Sequence, residues 1–147
     1  LAPGTSTVQR AERPAADWIA RNGAVVVTNG ALTIVPTNTA SARPFLTHSQ
    51  LDMTGPLRLT LLARARQGGR GAVSWRTKQD REFAPANLVE FDWPAATAWT
   101  PVAVELPVRG SLVHLRVLWP RGGEGIEVRS IELRPAEGEA RVWRFDQ

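Results

Sequence analysis

The sequence predicts an all-β protein, an antiparallel β-sandwich of the jelly-roll kind, and three observations carry that prediction. From Leu57 onward, apolar and polar residues alternate with period two in run after run, the rhythm of half-buried strands. Gly, Pro, Asn-Gly or charged turns separate the runs, and no convincing amphipathic helix intervenes, so strands follow strands directly. A length of 147 residues with 43% hydrophobic content suffices for one domain with a proper core.

Residues 1–16 are small, polar and proline-punctuated, and read as a linker or leader; residues 17–147 form the sandwich domain. The chain opens at Leu1 without methionine or a signal-peptide pattern, and is expected to be a piece of something longer. Pro14–Arg21 has room for a single helical turn at most. Asn29-Gly30 lies between AVVVT and ALTIV, where Asn-Gly favours the positive backbone angles of a two-residue hairpin turn. Residues 36–44 form a loop, Phe45–Leu51 a short strand, and Asp52-Met-Thr-Gly-Pro a turn.

Leu57, Leu59, Leu61, Ala63 and Ala65 then share one face of a strand, with Arg58, Thr60, Leu62, Arg64 and Arg66 on the other. Gln67–Gly71 turns the chain. Val73 with Trp75, Val89 with Phe91 and Trp93, and Val102 with Val104 and Leu106 mark the next three inward faces. In LVHLRVLW the alternation puts Val113, Leu115, Val117 and Trp119 together, opposite Leu112, His114, Arg116 and Leu118. Ile126 and Val128 are out of phase with Ile131 and Leu133, which a β-bulge near Arg129-Ser130 would reconcile. Ala140–Phe145 is the last strand, giving nine or ten in all.

The net charge is +4 and is concentrated between residues 58 and 81, where Arg58, Arg64, Arg66, Arg70, Arg76, Lys78 and Arg81 face only Asp80. Lys78 is the sole lysine. The arginine bias is either a base-composition effect or an anion-attracting strip, since the guanidinium fork grips carboxylate, sulfate or phosphate in bidentate fashion. There is no cysteine, so disulfides and thiolate metal sites are excluded, and no apolar run of about 18 residues that would span a membrane. The basic strip lacks interleaved aromatics at stacking spacing, and nucleic acid is not an expected partner.

Catalytic chemistry has little to stand on. His48 and His114 are the only imidazoles. Ser74 and Asp92 on neighbouring strands allow a triad on paper, but no nucleophile elbow frames the serine. Glu90 and Asp92 fall on one strand face, where exposed acids are ordinarily solvated and not a glycosidase pair. Zinc lacks ligands, and Gly68-Gly69-Arg70-Gly71 reads as a hairpin turn without the following residues of a phosphate loop.

Sugar recognition needs a flat aromatic and planar polar side chains, and six tryptophans are available. Trp18, Trp99 and Trp119 fit the core or its edges; Trp75 and Trp93 suit either the core or a ligand platform. Arg64, Arg66, Arg76, His114 and Arg116 lie on polar strand faces. If those strands share a sheet, they form a cationic groove matched to a sulfated or uronic sugar, with Trp75 beside it; otherwise they are a solvated face whose arginine stems cover apolar surface.

With its residues in this order, the chain resembles the C-terminal β-sandwich domain of bacterial, planctomycete-type sulfatases, within the wider galactose-binding-like, carbohydrate-binding-module-like jelly rolls. The resemblance rests on Trp18, Gly30-Ala-Leu-Thr-Ile, Pro44-Phe45-Leu46, Leu57–Arg66 ending in Ala-Arg-Ala-Arg, and Gly71-x-Val-x-Trp75-Arg76-Thr77. It continues through Phe83, Trp99-x-x-Val-x-Val-x-Leu106-Pro107, Leu112-x-x-Leu115-Arg116 and Ile126-Glu-Val-x-x-Ile131-Glu132-Leu133. It implies a non-catalytic accessory domain of an exported enzyme, extracellular or periplasmic, with carbohydrate as ligand and the catalytic domain upstream in the parent chain. The sulfatase nucleophile signature, Cys or Ser followed by x-Pro-x-Arg, is absent. A second reading from another class is a structural module that only packs against a catalytic domain. Jelly rolls of the resembled kind often carry one structural calcium ion, for which Glu12, Asp17 and Asp146 could supply oxygens; no other cofactor is expected.

Overall fold

The computed structural model describes residues 17–36, 43–120 and 125–146. They contain twelve strands and no helix. In chain order these are β1 (Ile19–Arg21), β2 (Gly23–Thr28), β3 (Ala31–Pro36), β4 (Phe45–His48), β5 (Met53–Thr54) and β6 (Leu57–Ala65). The second half gives β7 (Gly69–Thr77), β8 (Leu88–Trp93), β9 (Ala96–Leu106), β10 (Ser111–Leu118), β11 (Glu127–Pro135) and β12 (Arg141–Arg144). The count exceeds the expected nine or ten because two very short strands, β1 and β5, carry too few residues to show a period. Residues 17–21 enter β1 and do not form a helical turn; the rest of that stretch, like the 1–16 leader, lies outside the described residues.

All strand pairs are antiparallel and fall into two sheets. The first has the order β1-β4-β10-β7-β8, with β5 also on β10; the second has β2-β3-β11-β6-β9, with β12 also on β11. The expected two facing sheets are therefore present. Asn29 and Gly30 have φ of 54° and 76°, the left-handed pair that closes the β2–β3 hairpin as the sequence foretells.

The core lies between the sheets. Leu57, Leu59, Leu61 and Ala63 of β6 are at most 2% exposed, and Val73, Leu115, Val117, Ile131 and Leu133 are fully buried opposite them or beside them. Five of the six tryptophans join this core: Trp18, Trp75, Trp93, Trp119 and Trp143. Trp18 meets Trp143 edge-on at 5.3 Å, and Trp93 packs on Trp119 at 4.6 Å, arrangements that add to the stabilisation from area alone. Of the two roles open for Trp75 and Trp93, the core is the one they fill.

Three register shifts correct the simple alternation. In β11, Val128 faces Ala63 and Ser130 faces Leu62, so Arg129 is the extra residue, at the place the phase slip indicates. In β10, Leu112 faces Thr77 and His114 faces Arg76, leaving Val113 over. Leu112 is consequently buried and Val113 is not, the reverse of what strict period two assigns, while His114 and Arg116 still point outward. Between Ala63↔Thr100 and Ala65↔Ala96 the β9 strand carries two extra residues, and Trp99 sits in that irregular stretch on the outer face. Trp99 is thus half-buried on the surface of the second sheet, not in the core.

Candidate functional site

The predicted site residues divide between the two sheets. Arg64 and Arg66 belong to β6 and its end in the second sheet; Trp75 and Arg76 lie on β7, and His114 and Arg116 on β10, in the first. The single groove through all of them is therefore not formed, because β6 and β7 are consecutive in sequence but lie in opposite sheets. Trp75 is 2% exposed, with its side chain on the inner face, so it offers no ring face beside the arginines.

The outer face of the first sheet brings together Arg76, His114 and Arg116. Register fixes this: His114 is opposite Arg76, and Arg116 is flanked by Thr47 on β4 and Ser74 on β7. Arg21 of β1 stands opposite Phe45 of β4, on the same face, one row further along. Phe83, from the β7–β8 loop, covers this row. Its ring meets His114 edge-on at 4.7 Å, and the Arg116 guanidinium carbon lies 3.7 Å from its centroid and 5.1 Å from that of Phe45. His114 Nε2 and the Thr47 hydroxyl are 2.7 Å apart.

Electrostatically this part of the face is one-sided. Farther along the same face Arg70 of β7 pairs with Glu90 and Asp92 of β8, and on the second sheet Arg58 pairs with Glu105 and Arg64 with Glu127. Among the described residues no carboxylate pairs with Arg21, Arg76 or Arg116. Burial, followed by the charge of Arg21, holds the Arg116 guanidinium below its ordinary range, and its Nε is buried without a hydrogen-bond partner. The His114 imidazole is pushed down by burial first, then by Arg116, Arg76, His48 and Arg21, with no acid opposing them. Arg116, partly desolvated and with Arg21 but no acid acting on it, is the group that favours an incoming anion, while Arg76 is offset in part by the nearby Asp80 carboxylate.

The second sheet carries a smaller cluster. The Arg64 and Arg129 guanidinium carbons stand 4.5 and 4.4 Å from the Trp99 ring centroid, and Arg64 Nε donates to Glu127 at 3.0 Å. Arg66 is exposed beside them. Here Arg64 is paired with Glu127 and two guanidinium groups stand over the one ring, while Arg66 and Arg129 have no carboxylate partner among the described residues.

A third feature lies at the end of the sandwich, where β9 crosses over to β10. It is a cleft of about 720 Å³ bounded by Trp75, Gln79, Asp80, Asn87, Pro107 and Arg109. The β7–β8 loop that forms its wall is tied down by Asp80. One carboxylate oxygen accepts from the Thr77 amide at 3.0 Å, the Thr77 hydroxyl at 3.0 Å and the Asn87 amide at 3.1 Å. Those hydrogen bonds, led by the Thr77 amide, hold the Asp80 carboxyl below its ordinary range. Arg76 braces the same loop by donating to the Asp80 carbonyl at 2.9 Å.

Glu90 and Asp92 are both gripped by Arg70, and Asp92 stands opposite Arg70, four residues along β7 from Ser74, so neither an acid pair nor a triad assembles there. Of the residues considered for calcium, Glu12 lies outside the described residues. Among the described residues no group of three or more His, Asp or Glu comes together, and no helix is long and apolar enough to cross a membrane. Sequence reasoning missed Phe45, Thr47, Gln79, Asn87 and Arg109. Only Phe83 gave a signal, as an isolated aromatic in an otherwise polar loop.

No protein-family model matches this chain, and no curated protein sequence does. Solved structures do. BiXyn10A CBM1 in its apo form is 10% identical, with 90% of this chain and 99% of that one covered and a TM-score of 0.57. The C-terminal CBM6 of LamC, a marine laminarinase from Zobellia galactanivorans, is 13% identical over 88% and 98% of the two chains, with a TM-score of 0.47. The module CBM6cm-2 of Cellvibrio mixtus lichenase 5A, in complex with cellotriose, is 10% identical over 90% and 99%, with a TM-score of 0.44. At 10% identity the likeness to BiXyn10A CBM1 is one of fold, an all-β sandwich.

Proposed function

We propose that this domain is a non-catalytic carbohydrate-binding module that holds anionic, in particular sulfated, glycan on the outer face of its first sheet. The observation that carries the reading is the row of Arg116, His114, Arg76 and Arg21, set against Phe45 and Phe83 with no carboxylate partner. Arginines supply planar donors for sulfate or carboxylate oxygens, and the phenylalanine rings supply apolar surface for the C–H face of a sugar. The fold shared with BiXyn10A CBM1 supports a sugar-binding role. An accessory role in an exported glycan-processing enzyme, with its catalytic domain upstream, is part of the same proposal.

Electrophoresis through gels containing a sulfated galactan or a neutral glucan tests this. The domain is expected to be retarded by the sulfated polymer alone, and less so as salt is raised. Arg116→Ala removes a charge-assisted contact and should weaken retention about tenfold or more. Arg66→Ala, on the opposite sheet, should leave it unchanged. Equal mobility of the parent in both gels, or of Arg116→Ala and the parent in the sulfated one, defeats the reading.

The alternative of a purely structural module predicts a contiguous apolar surface. Among the described residues the exposed large apolar ones, Val35, Leu88 and Val142, do not make one. Leu88 is on the first sheet, Val142 stands beside Glu132, and Val35 lies beyond Val128, near the other end of β11.

A further inference from the structure

The end cleft and the arginine row share one loop but present different chemistry. On the row the charged side chains, Arg21, Arg76 and Arg116, are all cations. In the cleft, donors and acceptors alternate and the charges cancel. Asp80 spends one carboxylate oxygen on Thr77 and Asn87, leaving the other as an acceptor. Asn87 uses its NH2 on Asp80 and has its carbonyl oxygen left to accept. Arg109 is exposed and, among the described residues, has no ion-pair partner, so its guanidinium is available to donate, as is the NH2 of exposed Gln79. Trp75 and Pro107 contribute apolar walls.

A sugar hydroxyl both donates and accepts, and two on adjacent carbons ask for acceptor and donor groups side by side, with apolar contact for the ring carbons. The size, about 720 Å³, is within the roughly 300–1,000 Å³ of small-molecule sites. The wall is also prearranged. Besides the Asp80 contacts, the Asn87 amide donates to Ala84 O at 2.9 Å and the Trp75 amide to Asn87 O at 3.2 Å, so little ordering remains for a ligand to impose.

We infer that this cleft is a second binding site, for an uncharged sugar residue held through a pair of vicinal hydroxyls by Asp80, Asn87, Gln79 and Arg109. The inference rests on reading the domain as a sugar binder, but not on the arginine row. The module would then grip a charged stretch of glycan on its sheet face and a neutral residue at its end.

The test is a ¹H–¹⁵N correlation spectrum of the whole chain, titrated with the methyl glycosides of glucose, galactose, mannose and xylose. At least one should shift the side-chain NH2 signals of Gln79 and Asn87 and the Gly110 amide saturably, equally at low and high salt. The same shifts should persist in Arg116→Ala. The double variant Gln79→Ala/Arg109→Ala changes exposed side chains and should keep the rest of the spectrum, while weakening the response about tenfold or more. If none of the four sugars moves those signals, or if the double variant responds like the parent, the inference is wrong. Cleft shifts without retention on sulfated galactan would sink the arginine-row reading and leave this one standing; retention without cleft shifts would do the reverse.

Discussion

Trp99 shows how much one side chain's position changes what its loss should do. Its ring is half-buried on the outer face of the second sheet, between the guanidinium groups of Arg64 and Arg129. Trp119 is fully buried and packed on Trp93. Removing a core tryptophan costs on the order of 3–5 kcal/mol, whereas an exposed cation–π contact contributes about 0.5–1 kcal/mol. Trp119→Ala should therefore lower the urea midpoint far more than Trp99→Ala; equal losses would mean that Trp99 is structurally central after all. The clue is in the sequence, because Trp99 is out of phase with Val102, Val104 and Leu106, but a ring that large invites assignment to the core or its edges.

At the scale of strands, the alternation from Leu57 onward is legible in β6 and β8, which bury one face each, whereas β7 is buried on both faces from Gly71 to Trp75. The β11 bulge was legible too, since its two halves each carry a pair of large apolar residues. The bulge in β10 was not, because Leu112, Val113, Leu115 and Val117 offer two equally apolar phases and only the partner strand chooses between them. That choice matters for the candidate site. Bulging Val113 out of the ladder lets Leu112 and Leu115 both face the core while His114 and Arg116 face out. Deleting Val113 makes Leu112↔Thr77 and His114↔Arg76 consecutive pairs, so plain alternation keeps both faces and no slip is forced. The deletion should cost only what Val113 itself contributes, its hydrogen bond from the Leu51 amide included, about 1–2 kcal/mol by urea denaturation; outright unfolding would show that the bulge itself is needed to hold the strand.

For the molecule as a whole, the two-sheet sandwich followed from pattern alone, but which strands share a sheet did not. Pairing is non-local, and that is why alternation alone groups Arg64 and Arg66 with residues of the opposite sheet. The same topology sets the pH response. His48 is 1% exposed, inside the aromatic cluster of Trp18 and Trp143, with Nε2 unpartnered. Burial, with Arg141 in support and Asp17 opposing, holds its pKa below the ordinary 6.5. In the unfolded chain the imidazole takes up a proton near pH 6.5; in the folded protein it does so only at lower pH. Its contribution to stability is thus complete above about 6.5 and declines as the pH falls towards the folded value, and His114 has the same sign. Thermal midpoints should drop between pH 7 and pH 5, with a shallower slope in His48→Gln; a parent midpoint flat over that range would contradict the burial of a neutral imidazole.

The placement of β11 has a consequence for how the protein is made. This strand, near the C-terminus, occupies the middle of the second sheet, with β3 and β12 along one edge and β6 along the other. While the ribosome is still synthesising the chain, the β2–β3 hairpin and the β6–β9 pair exist as separate pieces with bare hydrogen-bonding edges and no strand to join them. The sheet can close only after residue 135 has emerged, so the domain must mature after nearly all of it has been translated. Until then those edges need shielding from each other and from neighbouring chains.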